Sequence, residues 1–503
     1  MYVHLKVDLS SRHFRFLILG GVLAGYAVVA YNFASLPDQW LGALIALLAG
    51  AIGMLWIGQY HLALLAALVI AIPLVGFDFS LYYNQKLGGD YRIAASLLDF
   101  AILGLWLKYM FSAPRSQRQS LRPLAVKWLV AGLFLLALLS FNFAKESRLT
   151  FFEIIRLFRM IMLLWITAKS VNDQSALQRV VVVLFVMTIL EGFLGYAQKF
   201  SGGQLGIALI GEPDDVLSQE LNTGDTAIRV GGTFRHANQF ARFLGLVLPL
   251  ALAVTIAAPG KRQRLLAGAA LLIGGGALVA TLSRAAWIGV TAGCGLVFLA
   301  MIARSALRAK ALQSLKVVLL LVAPFVLINL GTFIARFTSK DEGSFSTREP
   351  MARIALQIIQ EHPLGVGFGN YRQWLPRYGD PAIPFTFQAK VHNLYLLIAA
   401  ELGIVSLMVF LSILGFVFWT SLSLSKRASA APDLAMTAVG IAGGLLAFMI
   451  HCLVDYEEIA RIPILWFYFG LVCAIVRMNQ NFNEKSVSSL AGLPVNQPDS
   501  RPT

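Results

Sequence analysis

Long apolar runs, separated by short basic loops, recur from one end of the chain to the other. A hydrocarbon core about 30 Å thick needs about 20 residues of helix to cross it, so runs of this length predict membrane-spanning helices. The pattern predicts about fourteen. They fall at residues 14–34, 41–58, 61–79, 93–112, 125–144, 151–169, 178–199, 238–258, 265–282, 285–303, 316–335, 393–424, 433–454 and 461–477. Only Gly58 to His61 separates the second from the third. A membrane β-barrel would instead show short alternating segments. The expected fold is an all-α polytopic membrane protein with about 12–14 transmembrane helices.

Charged positions orient these helices. The N-terminus, Arg115/Arg118/Arg122, Lys261/Arg262/Arg264, Arg304/Arg308/Lys310 and Lys426/Arg427 all fall on one side, which the positive-inside bias makes cytoplasmic. The opposite side receives two long polar segments. Residues 201–237 are acidic at first (Glu212, Asp214, Asp215, Glu220, Asp225) and then basic (Arg229, Arg235). Residues 336–391 form a larger loop. The chain thus divides into N-terminal helices (1–200), a first outer loop (201–237), central helices (238–335), the large outer loop (336–391), C-terminal helices (392–477) and a polar, disordered cytoplasmic tail (478–503) that holds Pro494, Pro498 and Pro502. Lys6, Arg12 and Arg15 precede a long first run, so no cleavable signal peptide is expected.

Composition agrees. The chain is 58% hydrophobic and 13% charged, about half the charge of a soluble domain. Its net charge of +15 comes from loop cations, so it reads as membrane topology and not as a nucleic-acid surface. Cys294, Cys452 and Cys473 sit in apolar segments without paired spacing and read as small buried hydrophobes.

Polar chemistry concentrates on the outer face in four groups. The first is Arg229 to Asn238, which includes Arg235 and His236; the second is Thr281-Leu282-Ser283-Arg284. The third is the large loop with Arg348 and Arg372, and the fourth is His392-Asn393. Within the loop, Ser346-Thr347-Arg348-Glu349 fits a capping box ahead of an amphipathic helix at 351–360, which His362-Pro363 ends. Gly365, Gly367 and Gly369 follow, either as a backbone cradle for an anion or as a turn that needs positive φ. Arginine suits a phosphate because its planar fork donates two parallel hydrogen bonds and never loses its proton. Arg284 reads either as a guanidinium snorkelling to the interface or as the partner of an anionic headgroup. Arg156 and Arg159 read mainly as ion-pair partners of nearby acids such as Glu153, with a lesser reading as the lining of a lipid path. His392 is a general base by its ordinary pKa, or a surface residue at a helix start; Asn393 is a binding residue or a helix cap. Trp374, Tyr371 and Tyr378 can stack on sugars or form an interfacial belt. Glu401 is an expensive passenger in lipid, and Asp455 either returns to the same face or flanks an interface. Zinc, Walker and nucleophile-elbow signatures are absent from the sequence.

These residues resemble a known family. Gly232-Thr-Phe-Arg-His-Ala-Asn238-Gln-Phe-Ala241, Ser283-Arg284-Ala285-Ala286, Glu361-His-Pro-Leu-Gly365-Val-Gly367-Phe-Gly369-Asn370, and His392-Asn393 followed after nine residues by Gly403-Ile-Val-Ser406 resemble, in order, four motifs of the O-antigen ligase and polymerase superfamily. Alanine replaces one family glycine at 285, and serine replaces another at 406. The likeness covers roughly residues 225–475 and implies a GT-C-like inverting glycosyltransferase of the bacterial inner membrane, with its site facing the periplasm. The implied donor is a glycan on undecaprenyl diphosphate. The implied acceptor is lipid A–core for a ligase, or a second lipid-linked glycan for an O-antigen or exopolysaccharide polymerase. Membrane lipids are partners; nucleic acid, cofactors and metal are not. By motif, Arg284 and Arg348 would hold diphosphate and His392 would act as base, with Arg229, Arg235, Asn238, Asn393 and Arg372 as substrate contacts. The spacing around His392-Asn393 leans to the ligase. A lipid-linked oligosaccharide transporter is the alternative of another class, and it would spread charge along a path reaching both faces.

Overall fold

Apolar runs become helices wherever the chain is described. The computed structural model describes residues 60–74, 78–83, 92–112, 125–207, 212, 218–220, 226–328, 330–331, 334–335, 348–378, 390–427 and 432–490. The predicted spans 14–34 and 41–58 and the capping residues Ser346 and Thr347 lie outside these residues. In chain order the elements are α1 (Tyr60–Ala71), the antiparallel hairpin β1 (Asp78–Tyr83) and β2 (Arg92–Ser96), α2 (Leu97–Ser112), α3 (Ala125–Leu139), α4 (Ser147–Ser170) and α5 (Gln174–Ser201). A second antiparallel hairpin, β3 (Ser218–Glu220) and β4 (Thr226–Ile228), leads to α6 (Ala237–Ala257), α7 (Lys261–Ala280), α8 (Arg284–Ile302) and α9 (Ser305–Ile328). Then come α10 (Arg348–Glu361), the single turn α11 (Tyr371–Trp374), α12 (Leu394–Leu402), α13 (Ile404–Arg427), α14 (Pro432–His451) and α15 (Pro463–Leu490). Among the described residues, 7 helices are long and apolar enough to cross a membrane. The protein is an all-α polytopic membrane protein, with the two short hairpins as minor additions.

Several boundaries differ from the sequence reading: residues 93–96 of the predicted helix 93–112 belong to β2, and the span predicted over 316–335 is α9 at Ser305–Ile328, which takes in Arg308 and Lys310. Three further differences have a clear local cause. The helix predicted over 61–79 stops at Ala71, because Pro73 brings no N–H and disfavours helix at the residue before it. The run 393–424 is two helices broken at Gly403, whose φ is 89°. There the Ile404 amide leaves the helical ladder and donates to Pro363 O at 3.0 Å. The disordered tail predicted from 478 is overturned for 478–490, which continue α15. Arg477 anchors that end by donating to Ala168 O (2.6 Å) and Val171 O (2.7 Å), and extending a helix already nucleated is cheap.

α6 and α14 form the centre of the bundle, and α14 packs on both α6 and α8. Glycines permit the close approach. A Cβ on Gly443 would stand 2.7 Å from Gly293 O on α8, and one on Gly440 would stand 2.6 Å from Leu250 Cα on α6. Without a hydrophobic drive between helices in lipid, such small-residue seams supply the packing. Gly443→Leu is expected to separate α14 from α8 and to cost about 3 kcal/mol, the upper end for overpacked cores. A lowered thermal midpoint of the detergent-solubilised protein would register it; an unchanged midpoint would contradict the seam.

Candidate active site

One buried carboxylate gathers several of the polar residues that the sequence reading singles out. Asp455 lies in the loop after α14 and is 4% exposed. Its Oδ2 accepts from Arg242 at 2.5 Å and lies 3.1 Å from His451 Nε2. Its Oδ1 accepts from Asn238 Nδ2 at 3.1 Å and faces His392 Nδ1 at 3.9 Å. The last distance is beyond a hydrogen bond, and His392 Nδ1 has no hydrogen-bond partner among the described residues. That nitrogen is buried, so the 29% of the His392 side chain left exposed belongs to its other atoms. The ring packs edge-on against Tyr456 at 5.1 Å. Burial would raise the Asp455 pKa, but Arg242 and the hydrogen bond with His451 outweigh it and hold the carboxyl well below its ordinary range. Asp455 is therefore an anion at every physiological pH.

A second buried group fixes the spacing between His392 and Asp455. Lys390, two residues before His392, stands 2.5 Å from Glu458 Oε1 and 3.3 Å from Glu401 Oε1. Burial alone would lower its pKa; the two carboxylates reverse this and raise it, so the ammonium persists. Glu458 lies three residues after Asp455, so Lys390 ties the 390–392 segment to the 455–458 segment. Its neighbour Glu457 is raised by burial and by the charge of Glu458, whereas Arg461 and Lys390 overcome burial at Glu458 and keep it low. Glu401 also receives the Gly369 N–H at 3.0 Å and the Tyr371 N–H at 3.3 Å. Of the three glycines only Gly369 offers its N–H to this internal carboxylate; Gly365 and Gly367 donate to the backbone oxygens of His362 and Glu401, so the stretch is a turn that needs positive φ. Gly365, Gly367 and Gly369 have φ of 90°, 97° and 77°, which only glycine adopts without strain.

The arginine turn is held from the other side. Arg229 donates Nε to Thr281 O (2.9 Å) and NH2 to Asn238 Oδ1 (2.6 Å), which joins the α7–α8 turn to Asn238 and so to Asp455. Leu282 in that turn has φ of 55°, a left-handed conformation that costs a branched side chain about 1–2 kcal/mol. Arg284 follows as the first residue of α8. The Gly232-Thr233 backbone is clamped by α5: Thr233 N and Oγ1 donate to Glu191 (2.9 and 2.7 Å), and Gln198 receives the Gly232 N–H at 2.9 Å. His236 caps α6 by accepting from Asn238 N at 3.1 Å. Burial, aided by Arg229, lowers the His236 pKa to about 4.

The remaining predicted residues take varied places. The charge of Arg348, at the start of α10, reaches His451, and that of Arg372 reaches Tyr456. Both polar atoms of Asn393 are used within the chain: Oδ1 caps α12 at Leu396 N (3.0 Å), and Nδ2 donates to Leu453 O (2.8 Å). Arg235 is exposed and lines a neighbouring cleft. Tyr371 is 0% exposed, which removes it as a platform for sugar. Trp374 carries Lys145 Nζ over its ring at 3.8 Å, and Tyr378 donates to Glu361 at 2.7 Å. The sequence reading missed Arg242, Lys390, Glu457 and His451, and gave Asp455 only as a residue able to return to this face. The one available signal was the four-residue spacing of His451 and Asp455 at a helix end. Among the described residues, no group of His, Cys, Asp and Glu side chains is arranged to hold a metal ion.

The fold is that of a polytopic membrane protein whose bundle sets a histidine, a buried aspartate and several arginines together at one end. Residues 269–411 match the profile of the family described as O-antigen ligase, the family that the sequence motifs resemble. The match holds Arg284, Arg348, Arg372, His392 and Asn393, while Arg229, Arg235, Asn238 and Asp455 lie outside it. Members of the family are glycosyltransferase-like enzymes. No curated protein gives a significant match.

Two measurements test the site's construction. Lys390→Met leaves Glu401 and Glu458 buried without their shared cation and is expected to cost about 3–5 kcal/mol, read as a lower unfolding midpoint in detergent. Separately, His236 binds its proton at about pH 4 when folded and at about pH 6.5 when unfolded. Between these values the unfolded chain takes up the proton that the folded chain refuses, so stability falls as pH drops through this window. His236→Asn keeps a capping acceptor and is expected to flatten that part of the pH–stability curve; an unaltered slope would contradict it.

Proposed function

We propose that the chain transfers a glycan from undecaprenyl diphosphate to an acceptor hydroxyl at the periplasmic face of the inner membrane, in the manner of an O-antigen ligase acting on lipid A–core. The observation that carries this reading is His392 beside the buried Asp455 anion, at the end of the bundle that also holds Arg284 and Arg348. His392 takes the acceptor's proton at Nε2, and the Asp455 anion, 3.9 Å from Nδ1, stabilises the imidazolium that forms. The acceptor oxygen bonds to the anomeric carbon from the face opposite the leaving group, and the bond from that carbon to the diphosphate oxygen breaks. The electron pair departs with the diphosphate, where Arg284 and Arg348 meet the growing charge. The leaving group is already activated, so no nucleotide need be hydrolysed. Asn238 and Arg229 hold Asp455 and the Thr281 turn in register, while Arg235 and Arg372 contact the donor.

The test is reconstitution of the purified protein with undecaprenyl-diphosphate glycan and two acceptors offered separately. Glycan on lipid A–core supports the ligase reading. A lengthening ladder on the carrier replaces it with a polymerase, and no product in either case overturns both. His392→Ala is expected to slow transfer by about 10²–10⁴-fold while lipid-linked donor still reaches the outer leaflet. Transfer at the normal rate would remove the base assignment, and loss of donor translocation would point to a transporter.

A further inference from the structure

Beside the Asp455 cluster lies a cleft of about 590 Å³ between α1, α2, α4, the start of α6 and the 457–464 segment. Neither His392 nor Arg229, Arg284 or Arg348 lines it. Five guanidiniums do: Arg156, Arg159, Arg235, Arg242 and Arg461, against the carboxylates of Asp99 and Glu457. The other paired acids stand behind the wall. Glu153, 2% exposed, holds both Arg156 and Arg461 at 2.5 Å, and Asp455 holds Arg242 at 2.5 Å; neither acid lines the cleft. Each such pair therefore presents its positive end to the cavity, and Arg242 Nε, buried, has no hydrogen-bond partner among the described residues. Such side chains are costly at membrane depth and mark functional sites there.

The same helices also give the cleft apolar lining. Leu103 and Trp106 of α2 and Ile155 and Phe158 of α4 line the cleft and are also among the exposed large hydrophobics, so this side opens toward lipid. The volume suits a headgroup and the first carbons of a chain; the rest of a long chain would lie along the α2–α4 face.

We propose that this cleft is a second headgroup site, which takes the phosphate or diphosphate of a substrate lipid arriving sideways between α2 and α4. This rests on the transferase reading, in which two amphiphiles meet at one site. Arg159→Gln tests it without threatening the fold, because Asp99, its partner at 3.2 Å, keeps bonds from Ser96 N (2.7 Å) and Oγ (2.8 Å). Leu103→Trp, at a lipid-exposed position, narrows the mouth by a different route. Native mass spectrometry of the full chain in detergent would measure binding of undecaprenyl diphosphate, lipid A and phosphatidylglycerol. Both variants are expected to weaken one of the first two about tenfold, the scale of one charge-assisted contact. Loss for undecaprenyl diphosphate makes the cleft a donor site, and loss for lipid A makes it an acceptor site. Unchanged binding of both overturns the proposal, as does equal weakening of phosphatidylglycerol, which would make the cleft a general anionic-lipid patch. His392→Ala is expected to bind as the parent does. Normal transfer by that variant would count against the base assignment alone and leave the cleft result standing.

Discussion

An anion buried beside a guanidinium is the constraint on which the His392 end of this bundle depends. Taking Asp455 and Arg242 out of water is expensive, and their attraction offsets that cost only if both are fully bonded and neither can drift. Arg242 is held further by donating through the same nitrogen to Tyr456 O at 3.0 Å, with its Nε left over, and Asp455 engages His451 and Asn238. The consequence is geometric. The start of α6, the end of α14 and the loop that follows are locked together, and His392 at the start of α12 meets the one face of the carboxylate left open.

Much of the architecture was legible in the apolar pattern, because a bilayer imposes both length and composition on a spanning helix. Its failures have local causes. The break at Gly403 was hidden because the run on either side is apolar; what breaks it is the 363–365 turn pressing on the helix, a contact that no periodicity records. The site was half legible. Arg229, Asn238, Arg284 and His392 stood out as polar residues in the motif strings. Lys390 and Arg242 did not, since one sits in a loop, where cations are ordinary, and the other sits inside α6. Their meaning comes from Glu458 and Asp455, 68 and 213 residues away along the chain. Arg156 and Arg159 were read correctly as ion-pair members, yet nothing in the sequence revealed that both line a cavity, with the Glu153 partner of Arg156 outside its lining.

That arrangement of acids behind and cations in front recurs at Glu153 with Arg156 and Arg461, and at Asp455 with Arg242. A guanidinium on a free side chain must be ordered before it can serve an incoming anion, and water must reorganise around it. A guanidinium already held by a buried carboxylate has met both costs during folding. In the proposed reaction, charge builds on a departing diphosphate, and donors fixed in advance stabilise it without further movement. The Gly365–Gly369 turn extends the same logic to the backbone. Its last N–H, that of Gly369, bonds the Glu401 carboxylate, which in turn holds Lys390, so the turn helps to fix the residues ahead of His392. In the proposed reaction the turn thus serves rigidity, and the arginine side chains are the groups that meet the substrate.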